Sequence, residues 1–103
     1  MSPETEIVHY FKRQWNESRG DKYDSWGASD WWFETDHEGY ITRCVQVYNN
    51  GNVLFYSESH REDKYGILPE GNLDLSEFRE FATSKDEFES TLNEAVPINA
   101  ANI

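Results

Sequence analysis

Hydrophobic and polar residues alternate through residues 30–58, as in β-strands that bury one face. Asn50-Gly51 separates two such runs and predicts a hairpin, because both residues tolerate the positive φ of a type I′ turn. In the segment "DHEGY", Gly39 predicts a three-residue loop that ends in a G1 bulge. The pattern therefore predicts a three-stranded antiparallel meander over residues 30–36, 40–48 and 53–58.

The two turns also predict how the strands are aligned. A two-residue turn pairs Asn49 with Asn52, which aligns Val47 with Leu54, Val45 with Tyr56, and Arg43 with Glu58. Closing the other loop between Asp36 and Tyr40 pairs Thr35 with Ile41, Phe33 with Arg43, and Trp31 with Val45.

Neighbouring residues of a strand point to opposite faces, so Trp31 and Trp32 are expected on different sides of the sheet. The expected core face carries Trp31, Phe33, Ile41, Val45, Val47, Leu54 and Tyr56. The other face carries Trp32, Glu34, Tyr40, Thr42, Cys44, Gln46, Tyr48, Val53 and Phe55. Three alternatives stay open for this second face: an exposed aromatic patch of Trp32, Tyr40, Tyr48 and Phe55, burial under the C-terminal segment, or a dimer formed through this face or through the open edge of the third strand.

Helical patterns flank the strands. Ser2-Pro3 followed by Ile7, Tyr10, Phe11 and Trp15 predicts an amphipathic helix over residues 3–16. Two short C-terminal helices are expected, one after Asp74 and one after the capping box that begins at Ser84. Residues 96–103 are expected to fray. The prediction is a single α+β domain over residues 1–103, with an N-terminal helix, the meander and two C-terminal helices.

The chain is strongly acidic, with 20 Asp and Glu against 9 Lys and Arg and a net charge of −11. Residues 58–103 alone hold 11 acidic and 4 basic side chains, a net charge of −7. Such a surface repels phosphate backbones, which argues against direct nucleic-acid binding, and it attracts basic proteins. An acidic surface that serves only solubility is the alternative interpretation.

No catalytic motif stands out, and we expect no enzymatic activity and no cofactor. The lone Cys44 lies within a strand and is expected to be structural. Glu58, His60 and Asp63 are close enough in sequence to consider a divalent metal, although a specific metal site is not predicted. With no long apolar run, no signal-like N-terminus and only one cysteine, the sequence indicates a cytoplasmic protein that does not enter membranes.

The segments "WWFETDHEGYITRCVQVYNNGNVLFYSE", "HREDKYGILPEGNLDLSEF" and "SKDEFESTL" together resemble small acidic bacterial proteins of the toxin-immunity type. The resemblance covers about residues 30–94 and implies a partner that is a toxin. It carries no binding residue over to this chain.

Charge and aromatic content together predict a non-enzymatic domain, present as a monomer or homodimer, that binds and neutralises a basic protein such as a nuclease-type toxin. A general adaptor or a homodimeric module is the alternative, and a small metal-dependent enzyme is a further one. The expected partner-binding residues are Trp32, Glu34, Tyr40, Tyr48, Phe55, Glu58, Glu62, Asp63, Glu70, Asp74, Glu77 and Glu80.

Overall fold

The computed structural model describes residues 8–94 and 96–99, which form a four-stranded antiparallel sheet flanked by short helices. The strands are β1 (His9–Trp15), β2 (Ser29–Thr35), β3 (Ile41–Tyr48) and β4 (Val53–Ser57), hydrogen-bonded in that order. A two-stranded sheet of β5 (Glu62–Asp63) and β6 (Gly66–Ile67) precedes the helices α1 (Leu75–Phe78) and α2 (Lys85–Glu94). Single 3-10 turns span Asp24–Trp26 and Arg79–Phe81. The α+β class, the antiparallel order of β2, β3 and β4 and the two C-terminal helices are confirmed, but the sheet has four strands and not the predicted three.

The predicted N-terminal helix is wrong where the structure describes it, because residues His9–Trp15 form a strand. This strand pairs along its whole length with β2, placing Phe11 opposite Phe33. Tyr10 and Phe11 are both buried, but in clusters on opposite faces of the sheet. A strand buries two consecutive aromatic residues on separate faces, which a one-sided amphipathic helix cannot do. The Ser2-Pro3 start signal and Ile7 lie outside the described residues.

The hairpin between β3 and β4 exists, but its predicted alignment is off by one residue. Val47 pairs with Val53, Val45 with Phe55, and Arg43 with Ser57. The loop holds three residues, because the Tyr48 N–H donates to the Asn52 carbonyl at 2.9 Å and the Gly51 N–H donates to the Tyr48 carbonyl at 2.8 Å. Among the described residues only glycines have positive φ, so Gly51 takes the left-handed position and neither Asn does. That geometry excludes the type I′ turn.

The loop between β2 and β3 is as predicted, and so is the first residue pair of the two strands next to it. The Asp36 N–H donates to the Tyr40 carbonyl at 3.0 Å, Gly39 has a φ of 93°, and Thr35 pairs with Ile41. A β-bulge between Glu34 and Thr35 then shifts the alignment. Beyond it the pairs are Glu34 with Arg43, Phe33 with Cys44, Trp32 with Val45 and Trp31 with Gln46, so the predicted pairs of Phe33 and Trp31 are wrong.

Both faces of the sheet are covered by other parts of the chain. The face under α2 carries Tyr10, Trp32, Val45 and Val53, packed with Phe88 of the helix. The other face carries Phe11, Phe33, Cys44, Tyr48, Leu54 and Tyr56, and it packs against Trp26, Leu68 and the α1 region. The residues of β3 after the bulge therefore lie on the faces opposite to those predicted, whereas Trp31, Phe33, Leu54 and Tyr56 share one face as expected.

Both outer strands of the main sheet are hydrogen-bonded along part of their free edges. At β1, the Thr83 N–H donates to the Tyr10 carbonyl at 2.8 Å. At β4, the Asn99 side chain accepts from the Phe55 N–H at 3.1 Å and donates to the Phe55 carbonyl at 2.9 Å. Asn99 is fully buried, so the expected fraying does not extend to it, and residues 100–103 lie outside the described residues.

Replacement of the two adjacent tryptophans should affect stability unequally. Trp32→Ala should lower the free energy of unfolding by about 3–5 kcal/mol, because it empties a site beneath α2. Trp31→Ala should cost about 1–2 kcal/mol, because Trp31 is only half-buried. Urea denaturation of both variants measures the difference. A larger loss for Trp31→Ala would contradict the observed strand faces.

Two loop glycines provide a second test. Both Gly39→Ala and Gly51→Ala place a side chain at positive φ, at a cost of about 1 kcal/mol. At Gly39 the new Cβ would also lie 2.5 Å from the Leu73 carbonyl oxygen, whereas at Gly51 nothing lies within 4 Å. We therefore expect Gly39→Ala to lower the thermal midpoint clearly more than Gly51→Ala. Equal midpoints would contradict the docking of residue 73 against this loop.

Candidate binding site

The predicted aromatic patch is not an exposed surface. Trp32 is 7% exposed under α2, and its Nε1 donates to the Glu87 carboxylate at 3.1 Å. Tyr48 is 3% exposed and belongs to the cluster on the other face, because of the shift in β3. Phe55 is half-buried against the α2 cluster, and Tyr40 is exposed. Of the alternatives left open for the face that carries Trp32, the structure therefore shows that Trp32 is buried under the C-terminal segment.

Two of the predicted acidic contacts are bonded inside the protein. Glu34 accepts from Tyr10 Oη at 2.9 Å, from Thr42 Oγ1 at 2.7 Å, and from two guanidinium nitrogens of Arg43. Burial alone would raise the pKa of Glu34, but the bonds from Arg43, Thr42 and Tyr10 outweigh it and hold that pKa below its ordinary value. Glu34 thus joins β1, β2 and β3.

Asp63 is likewise a structural acid. One carboxylate oxygen accepts from Tyr56 Oη at 2.8 Å and from the Tyr65 N–H at 2.9 Å. The other lies 2.8 Å from His60 Nε2 and accepts from Asn99 Nδ2 at 2.9 Å. Burial would raise the pKa of Asp63, but these bonds together hold it far below its ordinary value.

The arrangement around Asp63 bears on the metal interpretation considered above. Glu58 is exposed, while His60 and Asp63 are bonded to each other. Across residues 8–94 and 96–99, no three His, Cys, Asp or Glu side chains are grouped so as to hold a metal ion. Cys44 is fully buried, and burial raises the pKa of its thiol to about 12, which suits a structural residue.

The remaining predicted acids are exposed and available to a partner. They are Glu58, Glu62, Glu70, Asp74, Glu77 and Glu80. Asp74 also caps α1 by accepting from the Ser76 and Glu77 N–H groups. Hydrogen bonds from the Ser76 side chain and then from these N–H groups lower the pKa of Asp74. Whether any of the six contacts a partner stays a prediction.

A cleft forms around Trp15 and Trp31, whose ring centroids are 6.5 Å apart. On one side of this pair lies a cavity of about 240 Å³, here called the apolar cavity. Its wall includes Arg13, Trp15, Trp31, Phe33, Ile41 and Phe78. On the other side lies a cavity of about 310 Å³, here called the polar cavity. Its wall includes Trp15, Arg19, Ser29, Trp31, Gln46 and Tyr48.

The apolar cavity is shaped by rings that meet in tilted or edge-on pairs, and one acid lines it. The Arg13 guanidinium lies over the rings of Phe78 and Phe81, 5.6 and 5.2 Å from their centroids. Glu70 also lines this cavity. Asp74 and Glu77 are exposed in the segment that supplies its outer wall. Trp15 is 49% exposed, which leaves a large indole surface at the mouth of the cleft.

Sequence reasoning missed this cleft. Trp15 was assigned to a helix and Trp31 to the core, so neither was a candidate binding residue. The aromatic run "HYF" at the start of β1 could have indicated a strand, because strands favour aromatic residues. A strand at this position would have placed Trp15 beside β2.

Comparison with protein-family models, with curated proteins and with solved structures finds no match. No helix in the part of the chain that the structure describes is long and apolar enough to cross a membrane.

The Asp63 site predicts a specific dependence of stability on pH. A depressed folded-state pKa stabilises the fold above the unfolded-state pKa of about 3.9, and this stabilisation is lost as pH falls through the folded value. Asp63→Asn should therefore unfold about 2–3 kcal/mol more easily at pH 7 and lose less stability on acidification. Urea denaturation between about pH 7 and pH 2 tests this.

The matched control is Glu58→Gln, which alters an exposed carboxylate in the turn after β4. It should unfold like the parent at every pH. An Asp63→Asn curve parallel to that of the parent protein would contradict the role of Asp63.

Proposed function

We propose that this protein is a non-enzymatic, acidic protein-binding domain that binds and neutralises a basic protein, such as a nuclease-type toxin, in the cytoplasm. The observation that carries the proposal is the apolar cavity beside Trp15 and Trp31, with the exposed acid Glu70 in its wall. The proposed surface replaces the patch around Trp32 and keeps the predicted acidic contact Glu70, which lines the cavity, with Asp74 and Glu77 in the same segment. Glu80 lies elsewhere, in a site that Lys12 and Glu87 also line.

The cleft has the features of an interaction surface. Protein interfaces concentrate binding energy in aromatic and Arg side chains near pockets, surrounded by polar residues that exclude water. Here Trp15, Trp31 and Arg13 surround a pocket large enough for one apolar side chain of a partner. Glu70 lines this pocket, where it can pair with a basic residue beside that side chain, and the exposed Glu77 is the chain neighbour of the lining residue Phe78.

The net charge of −11 adds a kinetic advantage. Long-range attraction raises the rate at which a basic partner is captured, while the anchoring side chain slows its release. The same charge opposes direct binding of nucleic acid to this protein. An inhibitor of a nucleic-acid-cleaving enzyme benefits from both properties.

A homodimer formed by strand pairing is less well supported. Such dimers need free backbone groups on an outer strand. The Tyr10 carbonyl of β1 is occupied by Thr83, and both backbone groups of Phe55 in β4 are occupied by Asn99. The adaptor alternative uses the same cleft and differs only in the partner.

The test uses the protein as bait in an extract of the organism that encodes it, at low and then high salt. We expect a basic protein that is released by salt and whose activity is inhibited at equal molar ratio. The purified partner is then titrated against Glu70→Lys/Glu77→Lys, which reverses two charges beside the apolar cavity.

The matched control is Asp86→Lys/Glu94→Lys, which makes the same charge change on α2, on the other side of the sheet. The cavity-side pair should weaken binding at least about tenfold more than the α2 pair, because local pairing adds to overall attraction. Equal weakening by both pairs would contradict the proposed surface. Recovery of no basic partner would contradict the function itself.

A further inference from the structure

The polar cavity is lined by hydrogen-bond donors that the protein leaves partly unused. Gln46 of β3 is 4% exposed and lines this cavity. Its Oε1 accepts from Tyr48 Oη at 2.6 Å, but within residues 8–94 and 96–99 the only partner of its Nε2 is the Cys44 sulfur at 3.9 Å. A carboxamide nitrogen has two hydrogens and thiol sulfur is a weak acceptor, so this buried group has donor capacity left.

Ser29 adds a second donor to the same wall, which Arg19 also lines. Ser29 is 5% exposed, and its Oγ accepts from Trp31 Nε1 at 2.7 Å, which leaves its own hydroxyl hydrogen to donate. Arg19 bonds to the Asp21 carboxylate and to the Tyr65 carbonyl. Its Nη1 is buried and has no hydrogen-bond partner among the described residues.

Buried donors normally have partners, because leaving one unsatisfied costs about 1–3 kcal/mol. Spare donor capacity on two buried residues that line one cavity, Gln46 and Ser29, therefore indicates a site for an oxygen acceptor. Another part of the wall is aromatic: Trp15 and Trp31 line both this cavity and the apolar cavity, and Tyr65 also lines this one. Aromatic walls favour a planar ring, which stacks on them in an offset or tilted arrangement.

We propose that the polar cavity binds an uncharged aromatic compound that carries a carbonyl oxygen. The ring would lie against Trp15 and Trp31, and the carbonyl oxygen would accept from Gln46 and Ser29. An uncharged carbonyl suits the site better than a carboxylate does, because Asp21 already pairs with Arg19 and Glu17 lines the same cavity. The site needs no protein partner and goes beyond the proposed function.

The test titrates the full-length, ¹⁵N-labelled protein with indole-3-carboxamide and, separately, with indole, which lacks the carbonyl group. We expect the carboxamide to shift the NMR signals of the Gln46 side-chain amide and the Trp31 indole N–H, with a dissociation constant in the millimolar range, on the order of 1 mM. Indole should bind about three- to tenfold more weakly, because it gains no hydrogen bond.

Two variants assign that preference to the cavity. Gln46→Met removes the amide donor at similar length and should bring the affinities for the two probes close together. Gln14→Met makes the same replacement at an exposed position of β1 and should keep the preference. Ser29→Ala, which retains the Gln46–Tyr48 bond, replaces Gln46→Met if that variant fails to fold.

Equal affinity of the parent protein for indole and indole-3-carboxamide would overturn the proposal, as would absence of binding by both. Neither result would bear on the basic-partner function, because the titration contains no partner. Conversely, failure to capture a basic protein would leave the titration result valid.

Discussion

The carboxylate of Glu34 joins the first three strands of the main sheet. It accepts from Tyr10 in β1 and from both Thr42 and Arg43 in β3, and Arg43 in turn donates to Glu89 of α2 at 2.8 Å. Glu34 also lies at the β-bulge, where Thr42 is the extra residue. The bulge determines which face each later residue of β3 occupies, so Trp32 and Val45 come together beneath α2.

The bulge also accounts for the cleft. By moving Gln46 and Tyr48 to the face that carries Trp31, it places polar groups on the floor of one cavity and leaves rings around the other. Without it, Val45 and Val47 would occupy that face and give it an apolar floor. A single irregularity thus separates an ordinary hydrophobic face from one with hydrogen-bonding capacity.

Periodicity and turn residues were enough to predict the meander and α2, because both depend on local signals. The predicted alignment of the strands is wrong by one residue in two places, at the bulge and at the three-residue loop that ends in Gly51. The two errors offset each other between β2 and β4, so the prediction that Trp31, Phe33, Leu54 and Tyr56 share one face is correct. The residues of β3 after the bulge were predicted on the wrong faces. The bulge depends on the side-chain bonds of Thr42 to Glu34, which no sequence period encodes.

The site was harder to predict than the fold. Acid content alone could not separate Glu34 and Asp63, which are bonded internally, from exposed acids such as Glu70. The strand β1 was read as a helix because its aromatic residues also fit helical spacing, and tertiary pairing with β2 decided between the two. Trp15 could be recognised as part of a surface only once that pairing was known.

Cys44 can serve as a chemical probe of how often the sheet opens. Its thiol is fully buried at the centre of β3 and is the only one in the chain, so a modifying reagent can reach it only when the sheet opens. When closing is fast relative to modification, the rate of alkylation measures the equilibrium population of open molecules. One unmodified cysteine therefore reports how often the central strand is released, under native conditions and without denaturant.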